Sequence, residues 1–455
     1  MTKPLTRTEP LRQLVPPASP TAATQWRPAD VLTAILAVGA LVVAWPVWLA
    51  LRSPQPFQVP VLLAHTCGMA AGYGVVVLIG LMSRTPALER GIGADRLARW
   101  HGRGGRLVVS LVLVHAGAAV IAYAQARREN LALALGQVLR MPGLIAATIA
   151  TLLFLVVAVL SVRAARRRVT HETWHTVHLL VYIAVALGFV HQLGGPDLAG
   201  HRVMQLIWAL LFTSAFALVV QHRVITPVRN ATRHRMRVQA VVAESPGVVS
   251  VLITGTDLDL LGAESGQFFR WRFLTPELWK TAHPFSLSAP PTHNRLRLTV
   301  KSLGDGSANL QLVEPGTWVL AEGPYGSVTE RRRTRRNILL VAGGVGITPL
   351  RALFETFVMT PGQDLLLVYR ARTEADLIFK AELDLLAGRP GTRVQYLIGD
   401  QVGPMSPALF RYLAPDLAER DVYVCGAPGF AAAVRRSVKE IGLPKYQLHE
   451  ERFDF

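Results

Sequence analysis

Six stretches of the chain are apolar almost throughout: 29–51, 59–82, 106–126, 143–162, 174–193 and 203–221. Each is close to the ~20 residues that a helix needs to cross a bilayer. The segment 1–28 ahead of them is polar and rich in Pro and Thr, which predicts a disordered tail and lacks the layout of a cleavable signal. Beyond residue 233 the pattern changes. Short runs such as Val248–Thr254 and Leu296–Val300 lie between Gly/Pro turns and predict a small antiparallel barrel over 233–330. After the basic linker Glu330–Arg336, apolar strands at Ile338–Ala342, Leu365–Tyr369, Val394–Ile398 and Val422–Cys425 alternate with helical stretches. That alternation predicts a Rossmann-like α/β domain over 336–455. The expected fold class is a multi-domain membrane protein, with a six-helix transmembrane bundle at 29–222 followed by a β-barrel and an α/β domain. No internal repeat is evident.

Composition agrees and charge adds direction. Of 455 residues 51% are hydrophobic and 17% charged, against about 25% charged in a soluble domain; the mean hydropathy is +0.32. A net charge of +18 would ordinarily suggest nucleic acid, but its distribution excludes that partner. Residues 1–237 hold 24 Lys/Arg and seven Asp/Glu, net +17, whereas residues 238–455 hold 24 and 23, net +1. The excess alternates between loops. Four basic residues lie in the tail, Arg84, Arg90, Arg96, Arg99, Arg103 and Arg106 follow the second span, Arg163 and Arg166–Arg168 follow the fourth, and five follow the sixth. The other side of the bilayer receives five. The positive-inside rule then predicts a multi-pass cell-membrane protein with both termini cytoplasmic. Only two cysteines, Cys67 and Cys425, are present, which excludes a disulfide scaffold and a cysteine-ligated metal site.

Polar residues in spans are costly and mark function by default. His101 and His115 are 14 apart on the third span; His178 and His191 are 13 apart on the fifth. Both spans run from inside to outside, and the spacings correspond to ~21 Å and ~19.5 Å of helix. His101 then faces His178 near the cytoplasmic surface, and His115 faces His191 nearer the outside. Each pair can hold a haem iron through two imidazoles, giving two sites stacked across the bilayer. Thirteen residues miss a common helix face by ~140°, so the fifth helix is expected to carry a bulge near Gly188 or to absorb the rotation by tilt. His65, His171, His175 and His201 read as interfacial or packing residues.

The second half carries three motifs. His283-Pro284-Phe285-Ser286 leaves a barrel strand, followed by Lys301 and the turn Gly304-Asp305-Gly306-Ser307. A flavin wants a hydroxyl near its reactive ring nitrogen, which Ser286 supplies, and backbone donors for its pyrophosphate, which the glycine turn supplies. Gly343-Gly344-Val345-Gly346-Ile347-Thr348-Pro349 joins a strand to a helix, the setting in which a dinucleotide pyrophosphate rests on a helix N-terminus. Cys425-Gly426-Ala427-Pro428-Gly429 is a third strand-to-glycine turn, where Cys425 is either a small buried hydrophobe or a neighbour of a nicotinamide ring. Arg370 and Arg372, at the end of a strand, suit a ribose 2′-phosphate and so favour NADPH over NADH, or else line a solvated turn. The C-terminal Phe453 and Phe455 would either cover a flavin face or pack a last strand.

Together, the paired histidines, the motifs HPFS, GDGS, GGVGITP and CGAPG, and a terminal phenylalanine resemble the ferric reductase / NADPH oxidase superfamily over roughly residues 60–455. The resemblance implies that His101/His178 ligate an inner haem b and His115/His191 an outer one. It implies that His283–Ser286, Lys301, Gly306 and Ser307 bind FAD, that Gly344–Thr348, Cys425 and Gly426 bind the nicotinamide nucleotide, and that Phe455 or Phe453 shields the flavin. The expected enzyme is an NAD(P)H oxidase or ferric-chelate reductase. It would pass electrons from cytoplasmic NADPH (or NADH) through FAD and two haems b to external O2 or a ferric chelate. Two rivals stand beside it: a membrane module passing electrons to a partner protein or quinone, and a membrane-anchored flavin reductase whose histidines are structural. The tail lacks the spaced Asp pattern of an EF-hand, so calcium control is not implied. Oligomeric state is left open.

Overall fold

The computed structural model describes residues 28–54, 56, 58–162, 171–399 and 403–450. Phe453 and Phe455 lie outside the described residues, as does most of the N-terminal tail. Among the described residues six helices are long and apolar enough to cross a membrane: Pro28–Arg52, Val59–Leu81, Arg96–Arg127, Pro142–Ser161, Thr173–Leu193 and Arg202–His234. The third and sixth extend beyond their apolar runs. The third belongs to a continuous helix, Ala94–Arg127, whose first turns carry Arg96, Arg99 and Arg103. The sixth continues through a π-turn, Gln221–Ile225, into a polar helix, Thr226–His234, that leads to the barrel.

The bundle packs around span two. Met69, Val75, Val76 and Ile79 meet Val108 of span three, Val185 of span five, and Trp208 and Phe212 of span six. Large apolar side chains such as Leu41, Val203 and Leu206 point outward, as a lipid-facing surface requires. Between spans three and four a short helix, Leu131–Arg140, is capped by the Asn130 side chain, which accepts from the Leu133 N–H at 2.9 Å. The irregularity of the fifth span is not at Gly188, which sits in unbroken helix. It falls at Leu179, one residue past His178, between helices His171–His178 and Leu180–Leu193. There the Tyr182 N–H bonds the Leu179 carbonyl three residues back, a tightened turn at the break between the two helices.

The barrel is made of two three-stranded antiparallel sheets. One has the order β1 (Arg237–Ser245), β2 (Val248–Thr254), β5 (Arg295–Lys301); the other has β4 (His283–Ser286), β3 (Phe268–Phe273), β6 (Val319–Tyr325). Alternation places Phe269, Trp271 and Phe273 of β3 in the barrel core with Val251, Ile253, Leu296 and Leu298. The last unit is a parallel five-stranded sheet of order β11-β10-β7-β8-β9, with β7 at Asn337–Gly343, β8 at Leu365–Ala371, β9 at Thr392–Ile398, β10 at Arg420–Cys425 and β11 at Leu448–Glu450. Its central strands are buried on both faces, as their unbroken apolar runs require. The six-helix, antiparallel-barrel and Rossmann-like plan expected from the sequence is the plan observed.

Candidate functional site

In the bundle the four histidines meet in two pairs. The ring centres of His101 and His178 are 6.0 Å apart with an interplanar angle of 66°, and those of His115 and His191 are 6.2 Å apart at 60°. With metal–imidazole bonds of about 2.0–2.1 Å, two imidazoles sandwiching one ion bring their ring centres about 6 Å apart. The Nδ1–H of His115 donates to the Ala64 carbonyl at 2.7 Å, and that of His101 to the Leu78 carbonyl at 3.3 Å. This is the orienting bond that metal-ligating histidines make, and it leaves Nε2 to ligate. His178 stacks on Trp174, ring centres 5.0 Å apart, and its Nδ1 is buried with no hydrogen-bond partner among the described residues. The donor set therefore fits an iron held between two imidazoles. Among the described residues no group of three or more His, Cys, Asp or Glu is placed to hold a bare metal ion.

The His115/His191 pair opens on a cavity of ≈ 360 Å³ lined mainly by apolar and small residues, among them Gly68, Gly72, Phe154 and Phe212. Gly68 is needed there, because a Cβ would lie 2.8 Å from His115 Nδ1. This cavity also holds one polar feature that no sequence motif marks. His65, expected to be a packing residue, lines it and donates from Nδ1 to Asp197 Oδ1 at 2.7 Å, and the Asp197 carbonyl accepts from Trp45 Nε1 at 2.8 Å. The signal available in the sequence was an aspartate in an otherwise uncharged short loop.

A second cavity, ≈ 600 Å³, lies between the barrel and the parallel sheet. The barrel contributes Pro284, Phe285, Ser286, Thr299 and Lys301; the sheet contributes Gly343, Gly344, Gly346, Thr348, Arg370, Arg372, Cys425 and Gly426. The strand pairing explains the assembly: β10 lies beside β7 with Cys425 opposite Ala342, so both glycine turns emerge at one edge. A Cβ at Gly346 would collide with the Cys425 carbonyl, so only glycine lets the two turns close. Ligands of open α/β sheets bind at this carboxyl edge.

Other expected site residues are placed differently. Ile347 is wholly buried in the core beneath β7 rather than on the cleft wall, because the helix that follows the glycine turn must pack its first apolar residue on the sheet. His283, Gly304, Gly306 and Ser307 do not line the cleft. The His283 ring instead lies against Gly306, and the Ser307 hydroxyl closes its own turn, accepting from the Leu303 and Gly304 N–H groups at 2.8 and 3.1 Å. Arg370 donates from Nη1 to the Gly403 carbonyl, which ties it to the loop beside the cleft, whereas Arg372 is exposed. Asp376, which no motif marked, also lines the cleft. The Thr373 hydroxyl bond outweighs burial and, with the lesser charges of Arg372 and Lys301, holds its carboxyl below the usual range. Asp376 thus sets a negative charge beside Arg372.

The comparisons with known proteins divide the chain in the same way. The family described as "Ferric reductase like transmembrane component" matches residues 67–189, and the family "Oxidoreductase NAD-binding domain" matches residues 340–436. A ferredoxin–NADP reductase B from Sorangium cellulosum is 32% identical over 185 residues, 37% of this chain and 75% of that protein. The glycine betaine monooxygenase reductase subunit of Chromohalobacter salexigens is 28% identical over 237 residues, 49% of this chain. That match spans 64% of the relative's length, less than two thirds. Among solved structures, the flavohem-like FAD/NAD binding domain of a Vibrio cholerae nitric oxide dioxygenase aligns at 24% identity over 48% of this chain and 97% of that one, with a TM-score of 0.40.

Proposed function

Because the chain belongs to the ferredoxin–NADP reductase-type flavoenzymes and joins that module to a ferric reductase-like transmembrane component, in a ferric reductase/NADPH oxidase-like architecture, we propose that this membrane oxidoreductase moves electrons from cytoplasmic NAD(P)H through FAD and two haems b to an external acceptor, O2 or a ferric chelate. The observation that carries the reading is the pair of imidazole pairs on two facing spans, followed in the same chain by a dinucleotide-type cleft between barrel and sheet. Bound FAD would take a hydride and release its electrons singly, and haem iron between two imidazoles would relay them one at a time. The domains are 29–222 for the relay, 233–330 for FAD and 336–455 for the nucleotide, with a cytoplasmic tail at 1–28. Arginine-rich loops keep both termini in the cytoplasm of a cell-membrane protein.

The chain's own residues then divide the work. His101/His178 and His115/His191 hold the irons by Nε2, oriented on the third span through the Leu78 and Ala64 carbonyls. Ser286, only 6% exposed, presents its hydroxyl to the flavin edge of the cleft. The Gly343–Gly346 turn receives the pyrophosphate, Thr348 bonds the Val345 carbonyl to fix that turn, and Cys425 with Gly426 borders the nicotinamide. Arg372 faces the nucleotide's ribose end. Two imidazoles at each site would leave no open iron position, so the cavity lined by His115 and His191 is where the chain would admit an acceptor.

A second reading is favoured by the relatives' printed roles as a monooxygenase's reductase subunit and a ferredoxin–NADP reductase: the chain hands electrons to a partner protein or to quinone. One set of measurements on the purified full chain tests both. Reduced-minus-oxidised spectra are expected to show b-type absorbance that falls by the same half, roughly, in His115→Ala or in His191→Ala, since both hold one haem. A chain without any such absorbance sinks the haem relay and leaves a membrane-anchored flavin reductase. NADPH-driven superoxide formation, abolished by superoxide dismutase, or reduction of ferric citrate by the isolated chain marks a terminal enzyme. Haem reduction with neither product marks the partner-dependent carrier.

A further inference from the structure

Where the barrel meets the bundle, cations gather out of water in excess. Arg84 follows span two with a left-handed backbone, φ 66°, that a non-glycine residue adopts only under constraint. Its side chain is 11% exposed, pairs with Glu89 at 2.9 Å and lies 5.8 Å over the Tyr325 ring. Arg223, in the π-turn of span six, donates from Nε and Nη2 to the Met82 carbonyl at 3.0 and 2.7 Å. From the barrel side come Arg270 and Arg272 of β3. Their neighbours Phe269, Trp271 and Phe273 point into the barrel core, so these two arginines point the other way. Arg270 stands opposite Pro284 of β4.

These guanidinium groups are under-partnered. The hydrogen bond of Arg270 is a long one, 3.5 Å from Nη2 to the Ala282 carbonyl, and Arg272 reaches Glu322 only at 3.7 Å. Nε of Arg84, of Arg270 and of Arg272 is buried without a partner among the described residues. Three largely buried guanidinium groups, with Arg272 about a third exposed beside them, face two buried carboxylates, Glu89 and Glu322, so positive charge is in excess. Burial first, then Arg84, pulls the Arg270 guanidinium down to about 10, with Glu322 opposing. Buried charge of one sign without compensation is costly, so the site is built for an anion. Its position narrows the choice. Arg223 lies within electrostatic reach of His101 and of Tyr182, one turn past His178, so the cluster adjoins the inner imidazole pair.

We propose that Arg84, Arg223 and Arg270, with Arg272 behind them, form a clasp for paired anionic oxygens of a cofactor, namely the two carboxylates of a haem held by His101 and His178. The proposal rests on the haem reading above. Charge-assisted Arg–carboxylate bonds would satisfy the orphaned guanidinium nitrogens and offset the surplus charge. They would also bind the barrel to the bundle through the cofactor itself. The other source of the same chemistry is the FAD pyrophosphate.

The test uses the purified full chain, redox titration of the b-type absorbance and equilibrium dialysis of FAD. In Arg270→Gln and Arg84→Gln one of two midpoints is expected to fall by at least ~59 mV, tenfold in a one-electron equilibrium, because an unneutralised carboxylate favours ferric iron. The second midpoint and the FAD affinity stay put, and Arg270→Lys, which keeps the charge, restores most of the shift. A tenfold loss of FAD affinity with both midpoints unmoved overturns the haem assignment in favour of the pyrophosphate. No change in any of the three quantities overturns the anion site altogether. Failure of the haem reading is seen separately, as a wild-type chain without b-type absorbance, and that result also overturns the carboxylate assignment.

Discussion

Two arginines two residues apart have different surroundings, and the difference decides what each one does. From sequence Arg370 and Arg372 were equal candidates for a 2′-phosphate. In the fold Arg370 is spent on the Gly403 carbonyl, whereas Arg372 is exposed at the cleft beside Asp376. Arg372→Ala is therefore expected to raise the KM for NADPH about tenfold to a hundredfold, the loss of a charge-assisted bond of about 1.5–3 kcal/mol, with the KM for NADH unchanged. Arg370→Ala, by freeing the loop at 403, should raise both. Steady-state reduction of ferricyanide with each nucleotide reads the outcome, and equal rises for NADPH and NADH in Arg372→Ala would refute a phosphate contact. The glycine turns and the histidines were legible in the sequence because each needs one residue type at a fixed spacing. Asp376, Thr299 and the His65–Asp197 pair were not, because each acquires its role only from a neighbour distant in the chain.

Among the elements, the spans were the most legible, since a bilayer dictates both their length and their apolar character. The turn that interrupts the fifth was not, since Leu179 is neither Gly nor Pro and carries no local signal. Nor was the short strand β11, which pairs in parallel with β10 and is anchored by one buried side chain. Asp421 of β10, fully buried, accepts from His449 Nε2 of β11 at 2.9 Å, from the Thr334 hydroxyl at 3.0 Å and from the Thr334 and Arg335 N–H groups. It thus pins the last strand and the interdomain linker to the sheet. Burial pushes its carboxyl up, but the His449 bond and those of residues 334 and 335 outweigh it and hold the group below the usual range. A depressed carboxyl stabilises the fold fully above its unfolded value, about 3.9, and loses that contribution as pH falls through the folded value. An amide has one acceptor oxygen and must turn its NH2 toward donors. Asp421→Asn should then cost about 1.5–3 kcal/mol at pH 7 and progressively less below pH ~3.9. Melting of the purified chain at pH 7 and pH 3.5 checks this, and a gap that does not narrow in acid would refute the charge argument.

At the scale of the whole molecule, function requires that the flavin side and the nucleotide side of the cleft keep one separation, and a single carboxylate spans them. Arg297 of β5 donates to both oxygens of Glu382 at 2.8 and 3.0 Å, holds the Ser288 carbonyl at 2.8 Å, and lies 4.7 Å over the Phe379 ring. Arg351, from the helix behind the Gly343–Gly346 turn, reaches the same carboxylate at 2.7 Å. Glu382 follows directly on the segment that brings Arg372, Asp376 and Ile378 to the cleft, and β5 carries Thr299 and Lys301 to the opposite wall. Bidentate pairs of this kind fix geometry as well as contributing energy. Burial raises the Glu382 carboxyl, yet the Arg297 bonds and the Arg351 charge prevail and hold it below the usual range, so the brace is intact at any pH above about 4.3. Hydride transfer falls steeply with small misplacements, of the order of a hundredfold for 1 Å. Glu382→Gln is therefore expected to slow flavin reduction by NADPH about ten- to a hundredfold in stopped flow, with the apparent nucleotide affinity little changed. Glu355→Gln, which removes a partner of Arg351 on its own helix and leaves the brace standing, should not. Flavin reduction within twofold of wild type in Glu382→Gln would mean that the two halves hold their distance without it, leaving the apolar contacts between barrel and sheet to do so.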